Sequence, residues 1–355
     1  MTDTVNLGLP SLTGVPKADA PQTRKDFTSD QEVRWCPGCG DYAILAAMQG
    51  FLPELGVRRE NVVFVSGIGC SSRFPYYLNT YGVHGIHGRA PAIATGLATS
   101  RPDLSVWVIT GDGDGLSIGG NHLIHALRRN VNLKILLFNN RIYGLTKGQY
   151  SPTSELGKVT KSTPFGSLDA PFNPVSLALG AEATFVARTF DTDRQHLTSV
   201  LRAAVSHRGA SLVEIYQNCN IYNDGAFDLL KDRDTSAEAV IRLTHGEPIR
   251  FGASNEHGVI RDPSSGALRV AEVAEVGEDA VLVHDAYADD PTTAFGLSRL
   301  SDPQTLNRTP VGIFRQVDRP TYDDLARDQL EQATAKKGPG DLGALLTGSD
   351  TWTVN

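Results

Sequence analysis

Four cysteines, one aspartate set between glycines and a pair of asparagines carry the chemistry of this 355-residue chain. Cys36 and Cys39 stand in a CPGC turn, Cys70 ends the segment NVVFVSGIGC, and Cys219 follows SLVEIY. Four thiols are too few for a disulfide scaffold, yet they are the number that holds one tetrahedral centre, zinc or iron–sulfur. A single CxxC also fits a redox motif, and Cys70 and Cys219 taken singly fit small buried hydrophobes. The second signal is the segment that opens GDGDG at Gly111 and closes FNN at Asn140. Gly111 and Gly113 flank Asp112 and let the backbone approach phosphate oxygens closely. Mg²⁺ takes six oxygens in octahedral geometry and prefers carboxylates, carbonyls and phosphates. Asp112, an asparagine amide and a backbone carbonyl, with two diphosphate oxygens and a water, complete such a shell. The plainer reading makes GDGDG a glycine-rich turn and the asparagine pair a strand-end turn.

Residues so far apart need a scaffold that gathers them. The chain alternates apolar, strand-length runs with helical patterns. Strands are expected at 61–66, 104–110, 133–138, 183–186 and 212–215. Helices are expected from Asp41 to about Leu52, and at 89–100, 119–130 and 194–207. This alternation predicts an α/β fold, a mostly parallel sheet flanked by helices, with ligands at the carboxyl ends of its strands. Asp112 and Asn140 each follow a strand, 28 residues apart. Residues 1–28 carry Pro10, Pro16 and Pro21 with little apolar periodicity and read as a flexible extension. The α/β domain spans 29–232. Residues 233–335 form a less regular C-terminal region, with a strand expected at 280–283 and a helix at 322–335. Residues 336–355 read as a loose tail.

Composition narrows the class. The chain is 40% hydrophobic and 21% charged, with a net charge of -7. A general nucleic-acid binder would show a basic balance, so no nucleic-acid partner is expected. No run approaches the roughly 20 apolar residues of a membrane span, and the N-terminus lacks a signal-peptide pattern. A cytoplasmic protein is expected, where paired cysteines serve as metal ligands or redox groups.

The pairing of GDG with NN some 28 residues on resembles the thiamine diphosphate motif. The resemblance implies the diphosphate-domain fold. It also implies that Asp112, Asn140 and the carbonyl of Ile142 bind Mg²⁺. The longer series CPGCG, GIGCSSR, HGR, GDGDG to NN, then YGLTKGQYSPTS, is similar to the β subunit of 2-oxoacid:ferredoxin oxidoreductases. It covers residues 29–230 densely and the C-terminal HGEPIRFG more loosely. In that family four cysteines hold one [4Fe–4S] cluster, so the resemblance assigns Cys36, Cys39, Cys70 and Cys219 to it. It further implies oxidative decarboxylation of a 2-oxoacid with coenzyme A, giving acyl-CoA and CO₂, with electrons passing singly to ferredoxin. The glutamate that assists thiamine enzymes comes from a second domain, which is not found here. An α subunit is therefore expected, in an αβ or α2β2 assembly.

The resemblance also suggests lesser roles. Gly69, Cys70 and Ser71 match a cofactor-contacting loop, and His87, Gly88 and Arg89 match HGR. His87 is either a polar contact to cofactor or substrate or a satisfied structural histidine. Asp114 either helps the cofactor site or closes the turn. Tyr143, Gly144, Leu145 and Thr146 begin a loop that covers the site. Arg73 and Lys147 are candidate cations for substrate carboxylates, one for the α-carboxylate and one for a distal carboxylate as in 2-oxoglutarate. Lys147 as a solvated loop charge is the alternative. His122 and His125 fit helix packing or solvent better than a metal face. A pyruvate or branched-chain enzyme, a non-oxidative thiamine enzyme with zinc or no metal, and an electron-transfer scaffold remain alternatives.

Overall fold

The computed structural model describes residues 9–354. The runs VVFVS, SVWVITG and KILLFN are rich in β-branched and aromatic residues and buried almost throughout, as strands covered on both faces must be. They form β1 (Val62–Ser66), β3 (Ser105–Gly111) and β4 (Lys134–Asn139), with β2 (Tyr81–His84) between the first two in sequence. β5 (Phe185–Phe190), β6 (Ser211–Tyr216), β7 (Val240–Leu243) and β11 (Thr309–Gln316) complete a sheet of order β2-β1-β3-β4-β6-β5-β11-β7. The first six strands in that order run parallel. β11 lies antiparallel to β5 and parallel to β7. A smaller antiparallel sheet joins β8 (Arg250–Phe251), β9 (His257–Arg261) and β10 (Leu268–Glu272).

Alternate residues of each strand feed two cores, one on each face of the sheet. Val63 and Val65 of β1 face the first core; Val62 and Phe64 face the second. α2 (Ala90–Ser100), α4 (Gly120–Arg128) and α5 (Pro174–Gly180) cover the first face. α1 (Asp41–Phe51) and α6 (Arg194–Ser206) cover the other. Ala90, Ala94 and Ala98 recur every four residues and line the buried stripe by which α2 packs on β1 and β3. Phe64 stacks on Trp107 with ring centroids 5.7 Å apart. Burial of such a side chain contributes roughly 1.5–3 kcal/mol.

Three expectations change, and one alternative falls. Residues 9–28 are packed, with Val15 and Phe27 buried and Ala18 N–H donating to the Gly56 carbonyl. Pro10 opens a short helical turn there, and isolated apolar residues anchor the segment; residues 1–8 of the expected extension lie outside the described residues. GDGDG is not a simple turn: residues 112–116 form α3 (Asp112–Leu116), directly after β3. The sheet of the α/β domain does not end at 232, because β7 and β11 of the C-terminal region extend it. The strand expected at 280–283 is a short 3-10 turn at Glu278–Ala280 followed by isolated bridges from Val281 and Val283. The helix expected at 322–335 is present as Tyr322–Lys337.

Candidate functional site

β1, β3, β4 and β6 are consecutive parallel neighbours, so their carboxyl ends open on the same side. That edge delivers Gly69 and Cys70 after β1, Asp112 after β3, Asn140 after β4 and Cys219 after β6. A cavity of about 100 Å³, partly open to solvent, lies there. Gly69, Cys70, Ser71, His87, Gly111, Asp112, Gly113 and Asp114 line it, with Asn140, Ile142, Tyr143, Gly144, Leu145 and Thr146 from the next loop. Ile68, Phe138 and Gln217 also reach its wall. Arg73, Gly88, Arg89 and Lys147 do not.

Asp112 is buried, and its Oδ2 accepts from Ser151 Oγ at 2.5 Å and Thr153 Oγ1 at 2.6 Å. Burial nonetheless pushes its carboxyl up to about 6. A cation in the cavity would offset that desolvation. Asn140 Oδ1 accepts from Ile142 N–H at 3.2 Å, and its carbonyl accepts from Asn223 Nδ2 at 2.9 Å. The two asparagines diverge, as neighbours at a strand end must. Asn140 lines the cavity, whereas Asn139 turns inward, its Nδ2 donating to buried Glu214 Oε1 at 2.7 Å. A carboxylate, an amide oxygen and a backbone carbonyl are hard donors that suit Mg²⁺. Tyr143 closes this side by donating its hydroxyl to the Gly113 carbonyl at 2.9 Å. A Cβ at position 113 would stand 2.2 Å from the Tyr143 ring, so the close approach requires glycine.

Asp114 ties three loops together. Its Oδ1 accepts from Gly88 N–H at 2.7 Å, from Ile68 N–H at 3.1 Å and from His87 Nδ1 at 2.5 Å. Its Oδ2 accepts from Thr110 Oγ1 at 2.6 Å. Surrounded by donors, the carboxylate acts as an acceptor, so His87 Nδ1 carries its proton and Nε2 remains for the cavity. Arg89 reaches the carbonyls of His87 and Ile118, both at 3.3 Å, and braces the same loop.

The four cysteines are all free thiols and converge beside this cavity. Cys39 lies within electrostatic reach of Cys70 and Cys219, and Cys70 of Cys36 and Cys219. A Cβ on Gly144 would stand 3.4 Å from Cys70 Sγ and 3.6 Å from Cys219 Sγ. Among the described residues, no three of the four sulfurs lie within 4.8 Å of one another. Tetrahedral zinc with Zn–S bonds of about 2.3 Å would hold its sulfurs about 3.8 Å apart. Among the described residues, no three of the thiols are drawn to that spacing. Burial pushes the Cys70 thiol up to about 12 and Cys39 further, so a metal must displace the proton from each. Trp35 Nε1 donates to the Cys70 carbonyl at 2.7 Å, and Gln217 Nε2 lies 3.3 Å from Cys39 Sγ.

Other positions fall outside the cavity wall. Arg73 Nε donates to the Tyr77 hydroxyl at 3.0 Å. Lys147 is exposed in a left-handed turn at φ 76°. His122 and His125 join no metal-ligating group among the described residues. Sequence reasoning missed Ser151, Thr153, Gln217 and Asp41. Asp41 is buried beside Cys39, and burial pushes its carboxyl up to about 7 against the opposing pull of the Cys39 thiol. Its place directly after the CPGCG turn was the available signal; for Ser151 and Thr153 the signal was their place in the YGLTKGQYSPTS series, and their partners show only once the loop folds back.

Three comparisons bear on this geometry. Residues 67–215 match the family model described as thiamine pyrophosphate enzyme, C-terminal TPP binding domain. The chain is 68% identical to the 2-oxoglutarate oxidoreductase subunit KorB of Mycobacterium tuberculosis, over 98% of this chain and 94% of that one. It is 45% identical to subunit beta of 2-oxoacid:ferredoxin oxidoreductase 1 of Aeropyrum pernix, over 59% and 68% respectively. A solved structure, the 2-oxoglutarate:ferredoxin oxidoreductase from Magnetococcus marinus with 2-oxoglutarate, coenzyme A and succinyl-CoA bound, matches with a TM-score of 0.71. That match is at 32% identity and covers 93% of this chain and 96% of that one.

Proposed function

The chain belongs to the β subunits of the 2-oxoacid:ferredoxin oxidoreductases, and from that premise we propose that it serves the oxidative decarboxylation of 2-oxoglutarate. The products are succinyl-CoA and CO₂, with coenzyme A as acceptor of the acyl group and ferredoxin as acceptor of the electrons. As a β subunit it works with an α subunit. Among the described residues the cavity lining holds aspartates and no glutamate, which supports an αβ or α2β2 assembly in which the α chain supplies the carboxylate that assists the cofactor. When bound, thiamine diphosphate supplies the electron sink for decarboxylation and a [4Fe–4S] cluster takes the electrons one at a time.

The chain's own residues would divide the work. Asp112, Asn140 and the Ile142 carbonyl would hold Mg²⁺ against the diphosphate, with Gly111 and Gly113 giving the backbone its close approach. His87, with Nδ1 fixed by Asp114, would present Nε2 to substrate or cofactor. Arg73 is within electrostatic reach of Cys70 at the cavity wall, which supports a role facing one substrate carboxylate. Lys147, next to the cavity residue Thr146, would face the other. Cys36, Cys39, Cys70 and Cys219 would hold the cluster, and exposed Cys36 marks its outward side. Four free thiols fit a reducing compartment, and among the described residues no helix is long and apolar enough to cross a membrane; the cytoplasm is the compartment proposed.

One observation carries this reading: Asp112 and Cys70 line the same cavity, and Gly144 of its wall packs against the Cys70 and Cys219 thiols. The test is anaerobic co-purification with the α chain, followed by iron and thiamine diphosphate analysis and dye reduction with a panel of 2-oxoacids and coenzyme A. Bound cofactor, about four irons per chain and a preference for 2-oxoglutarate are expected. Zinc in place of iron, or preference for pyruvate, would contradict the redox centre or the substrate respectively. Cys219→Ser should lose most of the iron; full iron in that variant would place the fourth ligand elsewhere.

A further inference from the structure

We propose that Glu214 is a positioning residue for Asp112, acting through Asn139 and Thr153. The inference rests on the reading of Asp112 as the Mg²⁺ ligand. Glu214 is fully buried in the middle of β6, where SLVEIY otherwise supplies core residues. Its Oε2 accepts from Arg188 Nε at 2.7 Å, and that guanidinium is itself buried and capped by the Pro310 carbonyl at 3.2 Å. A buried ion pair is weak support for stability, since well-packed apolar residues often do as well. Its location directly behind the metal motif points to another use.

The use follows from hydrogen-bond polarity. Glu214 Oε1 can only accept, so it draws the Nδ2 end of Asn139 at 2.7 Å. Asn139 Oδ1 then faces the other way, accepting from Arg141 N–H at 3.1 Å and standing 2.9 Å from Thr153 Oγ1. Thr153 Oγ1 stands 2.6 Å from Asp112 Oδ2. Its single proton is shared between the carboxylate and the Asn139 oxygen. A flipped Asn139 would oppose its amide donors to the Arg141 N–H and leave its oxygen against the Glu214 carboxylate. Glu214 thus specifies the amide, the amide orients the Thr153 hydroxyl, and the hydroxyl fixes the Asp112 oxygen. Partners that hold a metal ligand in this way typically change metal affinity about 10–100-fold when lost.

The test uses the purified complex with its α subunit. Metal is stripped with EDTA, thiamine diphosphate is held constant, and Mg²⁺ is titrated while cofactor binding is followed by tryptophan fluorescence. Glu214→Gln keeps the volume but no longer dictates the Asn139 orientation, and Thr153→Val removes the hydroxyl. Both should raise the half-saturating Mg²⁺ concentration about 10–100-fold, leave the iron content unchanged and regain binding at high Mg²⁺. If Glu214→Gln does not fold, the paired Glu214→Leu, Arg188→Met variant removes both charges and is read in the same way. Half-saturation within about two-fold of the parent, even with lowered thermal stability, would overturn the proposal. Asp112→Ala is the control: unchanged Mg²⁺ dependence there would instead overturn the underlying metal assignment.

Discussion

His87 Nδ1 stands 2.5 Å from Asp114 Oδ1, so the second aspartate of GDGDG holds the histidine of HGR. The same carboxylate receives the backbone N–H groups of Ile68 and Gly88. It binds the loop after β1 to the turn before α2. Asp114→Asn would bring an amide donor toward those backbone donors. We expect it to lower unfolding free energy by about 1–3 kcal/mol, measured by urea denaturation, and to reduce turnover with the α subunit. Unchanged stability and turnover would show that the three-loop tie is dispensable.

Gly144 lines the cavity and packs against two thiols. A branched side chain there would press on Cys70 Sγ and Cys219 Sγ, which a Cβ alone would already meet at 3.4 and 3.6 Å. Gly144→Val should cut iron content several-fold while the unfolding transition of the metal-free protein stays within about 1 kcal/mol of the parent. Iron analysis beside thermal unfolding separates the two effects. Full iron loading would mean that the sulfurs have room to move apart.

His207 links stability to pH. Its Nε2 bonds the Thr184 hydroxyl at 2.7 Å, and buried Nδ1 has no partner among the described residues. Burial, with the cations of Lys134 and Arg319 nearby, lowers it from 6.5 to about 3. Between those values the unfolded chain binds a proton that the folded chain refuses. Stability should therefore fall as pH drops from about 6.5 toward 3, by at most about 1.4 kcal/mol per pH unit from this group. His207→Gln keeps a donor for Thr184 and should flatten that acid limb in urea unfolding at stepped pH. Parallel limbs for variant and parent would assign the loss to other groups.

Phe27 tests the packing of the N-terminal arm. It is fully buried in the core shared by α1 and α6. Phe27→Ala should cost about 3–5 kcal/mol of unfolding free energy. A cost under about 1 kcal/mol would mean that the arm is loosely held.

The sheet was legible where burial left a signature. β1, β3 and β4 lie within a residue or so of the apolar runs that announce them, because strands covered on both faces must be apolar throughout. β2 left none, since all four of its residues are exposed. β11 carries Pro310 and Gly312, which read as loop, yet it sits between β5 and β7. Asp112 and Asn140 were legible because each follows a strand, so position alone brings them together. Thr153 and Glu214 were not. The first depends on a loop folding back, and the second hides among core residues where only its hydrogen-bond partners give it meaning.

The central claim is that one cavity couples decarboxylation to the four-cysteine centre. The most direct measurement is the visible spectrum of the anaerobic complex with its α subunit, before and after 2-oxoglutarate and coenzyme A are added. The account predicts a brown protein with a broad band near about 400 nm that bleaches on addition of both and recovers when an electron acceptor is supplied. A colourless protein, or a band that substrate leaves unchanged, would contradict it.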